Sequence, residues 1–216
     1  MRRLEELQII SFDLDGTLVD RSYVDFFWNE LIPLKYAEIH DVDIETAKRL
    51  VLRAYDDIGS NDIRWYQVSF WAKEFKLNNI DELVDEAVRR AYIYPEVYEL
   101  LSRLFRKYTL IISTNADMIF VLKLLRVKGL LRYFKRIFSC VTHMKLIRKE
   151  DKFYRWICSE LNVDPCEILH IGDDPIYDYQ VPRNVGINAY LIDRQGRFIY
   201  IKHRLRRLDE LYDMLA

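Results

Sequence analysis

Asp13 and Asp15 stand two residues apart at the end of a short apolar run, Gln8-Ile9-Ile10-Ser11-Phe12, with Gly16-Thr17 directly behind them. Thr114 and Asn115 follow a second β-branched run, Tyr108-Thr109-Leu110-Ile111-Ile112-Ser113, and Asp173, Asp174 and Asp178 follow another, Glu167-Ile168-Leu169-His170-Ile171. Lys145, Arg148 and Lys149 come after Arg136-Ile137-Phe138-Ser139. If the runs carrying Asp13 and Asp173 are neighbours, at least three carboxylates converge, and like charges that close do not all stay ionised without a compensating cation. An oxygen-only donor set, with no His or Cys beside it, selects a hard divalent ion, Mg²⁺ first. Such an ion keeps positions for water and phosphate oxygens. A carboxylate beside it, with a lysine to offset an incoming dianion, has what a nucleophile on phosphorus needs.

The elements that must position these groups follow from the pattern of apolar residues. Length and β-branching make residues 8–12 a buried strand, and Gly16 marks a tight exit from it. From about Ser22 to Arg90 apolar residues recur at helical spacing (Tyr23, Phe26, Phe27, Leu31; Ala47, Leu50, Val51, Ala54; Leu83, Ala87, Val88, Ala91), with no strand-like alternation. After Pro95 helices and strands alternate: helices over 96–107, 116–127, 150–161 and 175–184, strands over 108–113, 136–139, 167–171 and 187–192. Alternation of this kind predicts βαβ units and a mostly parallel sheet. The tail is expected to add a short strand, Phe198–Ile201, and a last helix with Leu205, Leu208, Leu211 and Leu215 on one face. In an open parallel sheet ligands bind beyond the carboxyl ends of the strands, where the acids, hydroxyl and lysines sit.

Asp13-Leu14-Asp15-Gly16-Thr17-Leu18-Val19-Asp20 resembles motif I, DxDGT, of the haloacid dehalogenase-like (HAD) hydrolase superfamily. Ser113-Thr114-Asn115 resembles its motif II, and Gly172-Asp173-Asp174-Pro175-Ile176-Tyr177-Asp178 its motif IV, GDxxxxD. The resemblance implies an α/β fold: a HAD-like Rossmannoid parallel sheet with helices on both faces, residues 1–19 and 94–216, plus a C1-type helical cap inserted after the first strand, residues 20–93. It implies a Mg²⁺-dependent phosphatase acting on a small phosphorylated metabolite. In that scheme Asp13 attacks phosphorus to form an aspartyl-phosphate, and Asp15 protonates the leaving oxygen and then activates water. Thr114 and Asn115 bind the phosphoryl group. Asp13, the backbone carbonyl of Asp15, and Asp173 hold the metal, with Asp178 completing the acidic set. Lys149 is the motif III lysine, in preference to Lys145, because it opens the helix leading to the GDD strand, although the family's usual Lys-Pro is here Lys149-Glu150.

Other readings are weighed on the same residues. A 2-haloacid dehalogenase attacks carbon and lacks the second aspartate of motif I, a position held here by Asp15. A β-phosphoglucomutase-like mutase uses the same site, and a phosphoester-binding regulatory protein keeps the site without turnover. Asp174 reads as an exposed loop acid, His170 as a satisfied core histidine, and Trp28, Trp65, Tyr66 and Trp71 mostly as packing, with one or two facing Asp13.

Composition narrows the classes further. With 216 residues, 33 basic and 34 acidic side chains and 14% aromatics, the chain is neither disordered nor a polycation that wraps nucleic acid. The basic tail (Lys202, His203, Arg204, Arg206, Arg207) is expected to be a solvated helix face. Three scattered cysteines without a CxxC pair read as reduced thiols. With no apolar run near ~18 residues and no secretory signal in the first residues, a cytoplasmic protein, monomer or homodimer, is expected.

Overall fold

The computed structural model describes residues 6–215. Its first strand, β1 (Ile9–Phe12), is buried along its whole length. Helices α1 (Ser22–Phe26), α2 (Ile32–His40), α3 (Ile44–Ile58), α4 (Val68–Glu74) and α5 (Ile80–Arg90) follow before the chain returns through α6 (Val97–Leu104). Then come β2 (Thr109–Thr114), α7 (Met118–Val127), β3 (Phe134–Ser139), α8 (Cys140–Met144), α9 (Asp151–Leu161), β4 (Ile168–Gly172), α10 (Val181–Val185), β5 (Asn188–Ile192), β6 (Arg204–Leu205) and α11 (Leu211–Leu215). The six strands form one parallel sheet in the order β3-β2-β1-β4-β5-β6, so the fold class expected from the alternation is the one observed.

Register does the positioning. Phe12 on the central strand pairs with Ile112 on one side and Ile171 on the other, and Thr114 pairs with Ser139 on β3. Asp13, Ser113-Thr114 and Gly172-Asp173 therefore leave the sheet at the same level and edge. Side chains alternate across the sheet. Ile10, Phe12, Ile112 and Ile171 pack on one face with α6 and α7, while Ile9, Ile111 and Ile168 pack on the other with α8, α9 and α10. The first of these clusters continues without a break into the helices that follow β1, through Tyr23, Phe27 and Val51. Phe120 on α7 is the joint, meeting the Phe27 ring edge-on at 4.7 Å and the Tyr23 ring at 6.2 Å.

Two helices are interrupted by π-helical turns, Phe27–Leu31 between α1 and α2 and Pro175–Gln180 before α10. Each ends two residues before a proline, Pro33 and Pro182. Proline has no N–H for the carbonyl four residues back and crowds it with its ring, so the turn ahead of it widens.

The tail departs from expectation. Phe198–Ile201 is not a strand, because the Asp193 carboxylate accepts from the N–H groups of Arg197 (2.9 Å) and Phe198 (3.0 Å) and curls the chain into a turn. The strand forms later, as β6, where Leu205 O accepts from Asp193 N at 2.7 Å. Leu205 thus lies in a strand and Leu208 in a 3₁₀ turn, and only Leu211 and Leu215 belong to the last helix. Arg204 and Arg207 are paired with Asp193 and Asp209, at 3.5 and 2.9 Å, off any helix face. All three cysteines are free. Among the described residues no helix is long and apolar enough to cross a membrane.

Candidate active site

Asp13, Asp173 and Asp178 converge at the carboxyl edge of the sheet, each offering a carboxylate oxygen within 4.8 Å of the others. Two glycines make the approach possible. A Cβ on Gly16, which sits at φ +86°, would stand 2.3 Å from Asp173 Oδ2, and one on Gly172 would stand 2.3 Å from Asp178 Cγ. Only residues without side chains let the two acids lie against the backbone here.

Lys149 is buried and reaches the cluster just ahead of α9. Its Nζ donates to Asp13 Oδ1 at 2.5 Å and to Asp178 Oδ1. Burial works against its charge, but the two carboxylates outweigh burial and hold its pKa above the ordinary lysine value. Lys145, the rival candidate, caps α8 in the left-handed region (φ 55°) and is exposed.

The acids are not equivalent. Asp178 receives Lys149 and the His170 ring (2.9 Å) on Oδ1 and the Asp174 N–H (3.1 Å) on Oδ2. Burial alone would raise its pKa, yet these donors hold it well below the usual carboxylate range. Asp13 is raised well above its ordinary value, by burial first and by the charges of Asp178 and Asp173 against the pull of Lys149. Asp173 is pushed up to about 6 by burial and by Asp178. Buried carboxylates that also face one another resist ionisation, and a bound cation would relieve them. All the donors are oxygens, so the set fits a hard divalent ion.

Asp15 is turned the other way. Its Oδ1 accepts from Tyr23 OH at 2.6 Å, and burial raises its pKa against that hydrogen bond. Thr114 is buried at the end of β2, its Oγ1 accepting from Ala116 N at 3.1 Å. Asn115 is less committed to the acids: its Oδ1 accepts from the buried Cys140 thiol at 2.9 Å, and its remaining surface lines a cavity. Asp174 is a correction to its reading as an exposed loop acid. It is half-buried, and its carboxylate accepts from Ile176 N (2.8 Å) and Tyr177 N (2.9 Å), capping the π turn that carries Asp178.

The cavity, of about 450 Å³, opens between the sheet edge and the helices that follow β1. Asp15, Arg21, Trp28, Trp65, Tyr66 and Arg148 are among its walls. Trp71 touches it as well, but is otherwise buried, stacked on Phe75 at 5.2 Å with its indole N–H on the Trp65 carbonyl at 3.0 Å. Two polar contacts tie the helices to the sheet beside the cavity: Arg148 donates to Tyr66 OH, and Asp117 Oδ2 accepts from Val68 N at 3.1 Å.

Two connections are not stated by the sequence. Tyr23 was placed only as an apolar helix residue, and its hydroxyl gave no sign of reaching Asp15. Ser11 and His170 are polar residues in otherwise apolar strands, and they prove to be register partners on adjacent strands. That pairing of two misfits was the available signal.

Three carboxylates and a buried lysine thus converge at the carboxyl edge of a parallel sheet, an arrangement that suits a hydrolase site. The chain belongs to the haloacid dehalogenase-like hydrolase family, whose profile it matches over residues 7–186. Its fold superposes on a HAD phosphatase from Thermococcus onnurineus with a TM-score of 0.81 at 25% identity, covering 97% of this chain and 98% of that one. A 2-haloacid dehalogenase from Pseudomonas syringae pv. Tomato shares the fold at a TM-score of 0.68 and 21% identity, over 97% and 98% of the two chains. In sequence it is 24% identical to a phosphoglycolate phosphatase of Aliivibrio fischeri, over 87% of this chain and 85% of that protein. It is 25% identical to a GMP/IMP nucleotidase of Escherichia coli over 100 residues, 46% of this chain and only 44% of the relative's length.

Proposed function

We propose that this protein is a Mg²⁺-dependent phosphatase that hydrolyses a small phosphorylated metabolite through an aspartyl-phosphate on Asp13. One observation carries the reading: Lys149 Nζ lies 2.5 Å from Asp13 Oδ1, with Asp173 and Asp178 facing the same carboxylate. Asp13, the Asp15 carbonyl and Asp173 would hold the ion, with Asp178 completing the acidic set. When bound, the ion offsets the charge of the acids and of the phosphoryl oxygens.

Asp13 attacks phosphorus with one carboxylate oxygen while the bond to the leaving oxygen breaks. Asp15, whose raised pKa keeps a proton within reach, gives that proton to the leaving oxygen. In the second half Asp15 takes a proton from water, which attacks the aspartyl-phosphate and returns Asp13 and inorganic phosphate. Thr114 and Asn115 flank the phosphoryl group, and Lys149 offsets its charge. Proton delivery by Asp15 favours an oxygen leaving group over halide displacement.

Residues 20–93 act as a cap over the site, excluding water and selecting the leaving group. The 450 Å³ cavity and its aromatic walls support a leaving group larger than a two-carbon acid. The nucleotidase relative makes a nucleoside monophosphate a substrate to test beside phosphoglycolate. The near-balance of basic and acidic residues speaks against nucleic acid as the partner, and a small phosphorylated molecule acted on by a cytoplasmic monomer or homodimer completes the reading.

The test is hydrolysis of p-nitrophenyl phosphate with Mg²⁺, with EDTA, and by Asp13→Asn. The expected result is metal-dependent turnover that falls by roughly a thousandfold or more in the variant. Turnover that survives both EDTA and the substitution would put the chemistry elsewhere.

A further inference from the structure

Beneath the acids a chain of buried polar groups crosses three strands on the face packed against α9. Ser113 Oγ lies 2.7 Å from Ser11 Oγ, and Ser11 Oγ lies 2.9 Å from His170 Nδ1. His170 Nε2 lies 2.9 Å from Asp178 Oδ1 and 3.1 Å from Tyr154 OH. Ser11, Ser113, Tyr154, His170 and Asp178 are each no more than 1% exposed. A network this dry is costly unless every group is paired, so its hydrogens can be assigned one by one.

We propose that His170 is a positioning residue: its Nε2–H, kept in place by Ser11 on the opposite ring nitrogen, fixes the Asp178 carboxylate so that Asp178 holds Lys149 at Asp13. The proposal rests on the phosphatase reading above for what Lys149 does, but the hydrogen-bond assignment stands by itself. The Tyr154 hydroxyl donates its hydrogen to the Tyr177 carbonyl at 2.7 Å, so toward His170 it offers only a lone pair. The ionised Asp178 carboxylate offers only lone pairs as well. Both acceptors face Nε2, so the hydrogen between them belongs to Nε2. Nδ1 then accepts from Ser11, and Ser11 accepts from Ser113, giving one direction to the whole chain.

The consequence falls on Asp178 and Lys149. With the His170 ring and Lys149 on Oδ1 and the Asp174 N–H on Oδ2, the carboxylate has no free rotation. Lys149 ends a flexible four-carbon stem, and its ammonium needs fixed partners to stay in one place. Asp178 supplies one that takes no part in bond making, whereas Asp13 is phosphorylated and released in each turnover. His170 touches neither substrate nor reacting atoms and acts through Asp178.

The experiment has two independent arms. In the wild-type protein, the ¹⁵N shifts of the His170 ring decide the assignment without any turnover: a protonated Nε2 and a bare Nδ1 are expected. A ring protonated on Nδ1 overturns the proposal. In kinetics, His170→Leu is expected to lower kcat about 10- to 100-fold with KM little changed. His170→Gln, whose amide N–H reaches the place of Nε2, is expected to recover most of the loss. Circular-dichroism melts of both variants separate positioning from collapse; if His170→Leu does not fold, the ring shifts and His170→Gln decide. Equal losses in folded His170→Leu and His170→Gln also overturn the proposal. A wild-type kcat in His170→Leu beside an inactive Asp13→Asn sinks this proposal and spares the phosphatase. An inactive wild type sinks the phosphatase, and the ring shifts still report on the hydrogen-bond assignment.

Discussion

At the scale of single residues, the site is a contest between burial and charge that Lys149 settles. One ammonium is shared by Asp13 and Asp178, both nearly inaccessible. Lys149→Ala is expected to abolish most turnover and, by leaving two buried carboxylates without their cation, to cost about 3–5 kcal/mol in urea unfolding of the metal-free protein. Lys145→Ala, in an exposed helix end, is expected to leave turnover unchanged; the reverse pattern would reassign the lysine. Gly16→Ala is the second residue-scale test. The added methyl lands 2.3 Å from Asp173 Oδ2 at a φ of +86°, so the acid or the loop must move. Weakened Mg²⁺ affinity in a titration is the expected outcome, and an unchanged affinity would remove Asp173 from the metal set.

At the scale of elements, Asp117 joins a helix cap to a clasp. Its side chain caps α7, accepting from Ile119 N at 3.4 Å, while its other oxygen accepts from Val68 N on α4. Asp117→Ala is expected to cost about 1 kcal/mol or more, the value of an ordinary cap plus the lost tie, measured by the shift in urea midpoint. A neutral substitution would mean that the two helices are held by apolar contacts alone. The strands and the acids after them were legible in the sequence because a run such as Ile9-Ile10-Ser11-Phe12 followed by Asp13-Leu14-Asp15-Gly16 changes character within one residue. The tail was not legible in the same way. Its strand is two residues long and is delayed by a turn built on the Asp193 carboxylate, which no periodicity reveals. The π turns left only the prolines behind them as a trace. His170 was legible as a buried residue but not as a partner of Asp178, because the seven residues between them run from a strand into a π turn whose angle the sequence does not state.

At the scale of the whole molecule, proton and metal compete for the same acids. The pKa of Asp173 is raised to about 6, above the ~3.9 of an unfolded aspartate, so the metal-free folded protein binds this proton more tightly than the unfolded chain. That contribution to stability is fully present below about pH 4 and is lost as pH rises through about 6. A Mg²⁺ ion held by these acids would bind their deprotonated form, so its effect would run the opposite way. The rise in Tm on adding Mg²⁺ is expected to be larger near pH 7.5 than near pH 5, read by scanning fluorimetry. An equal rise at both values would contradict a carboxylate site. The sheet order carries a different consequence, one of time. β1 is synthesised before both strands that enclose it, and its partner on one side, His170 against Ser11, lies 159 residues further along. At roughly 5–20 residues per second, the ribosome needs about 10–30 s to deliver β4 after β1. For that interval β1 lacks its partner on one edge even after β2 has been made, and a nascent chain of this protein is most in need of shielding at the segment that ends up deepest inside it.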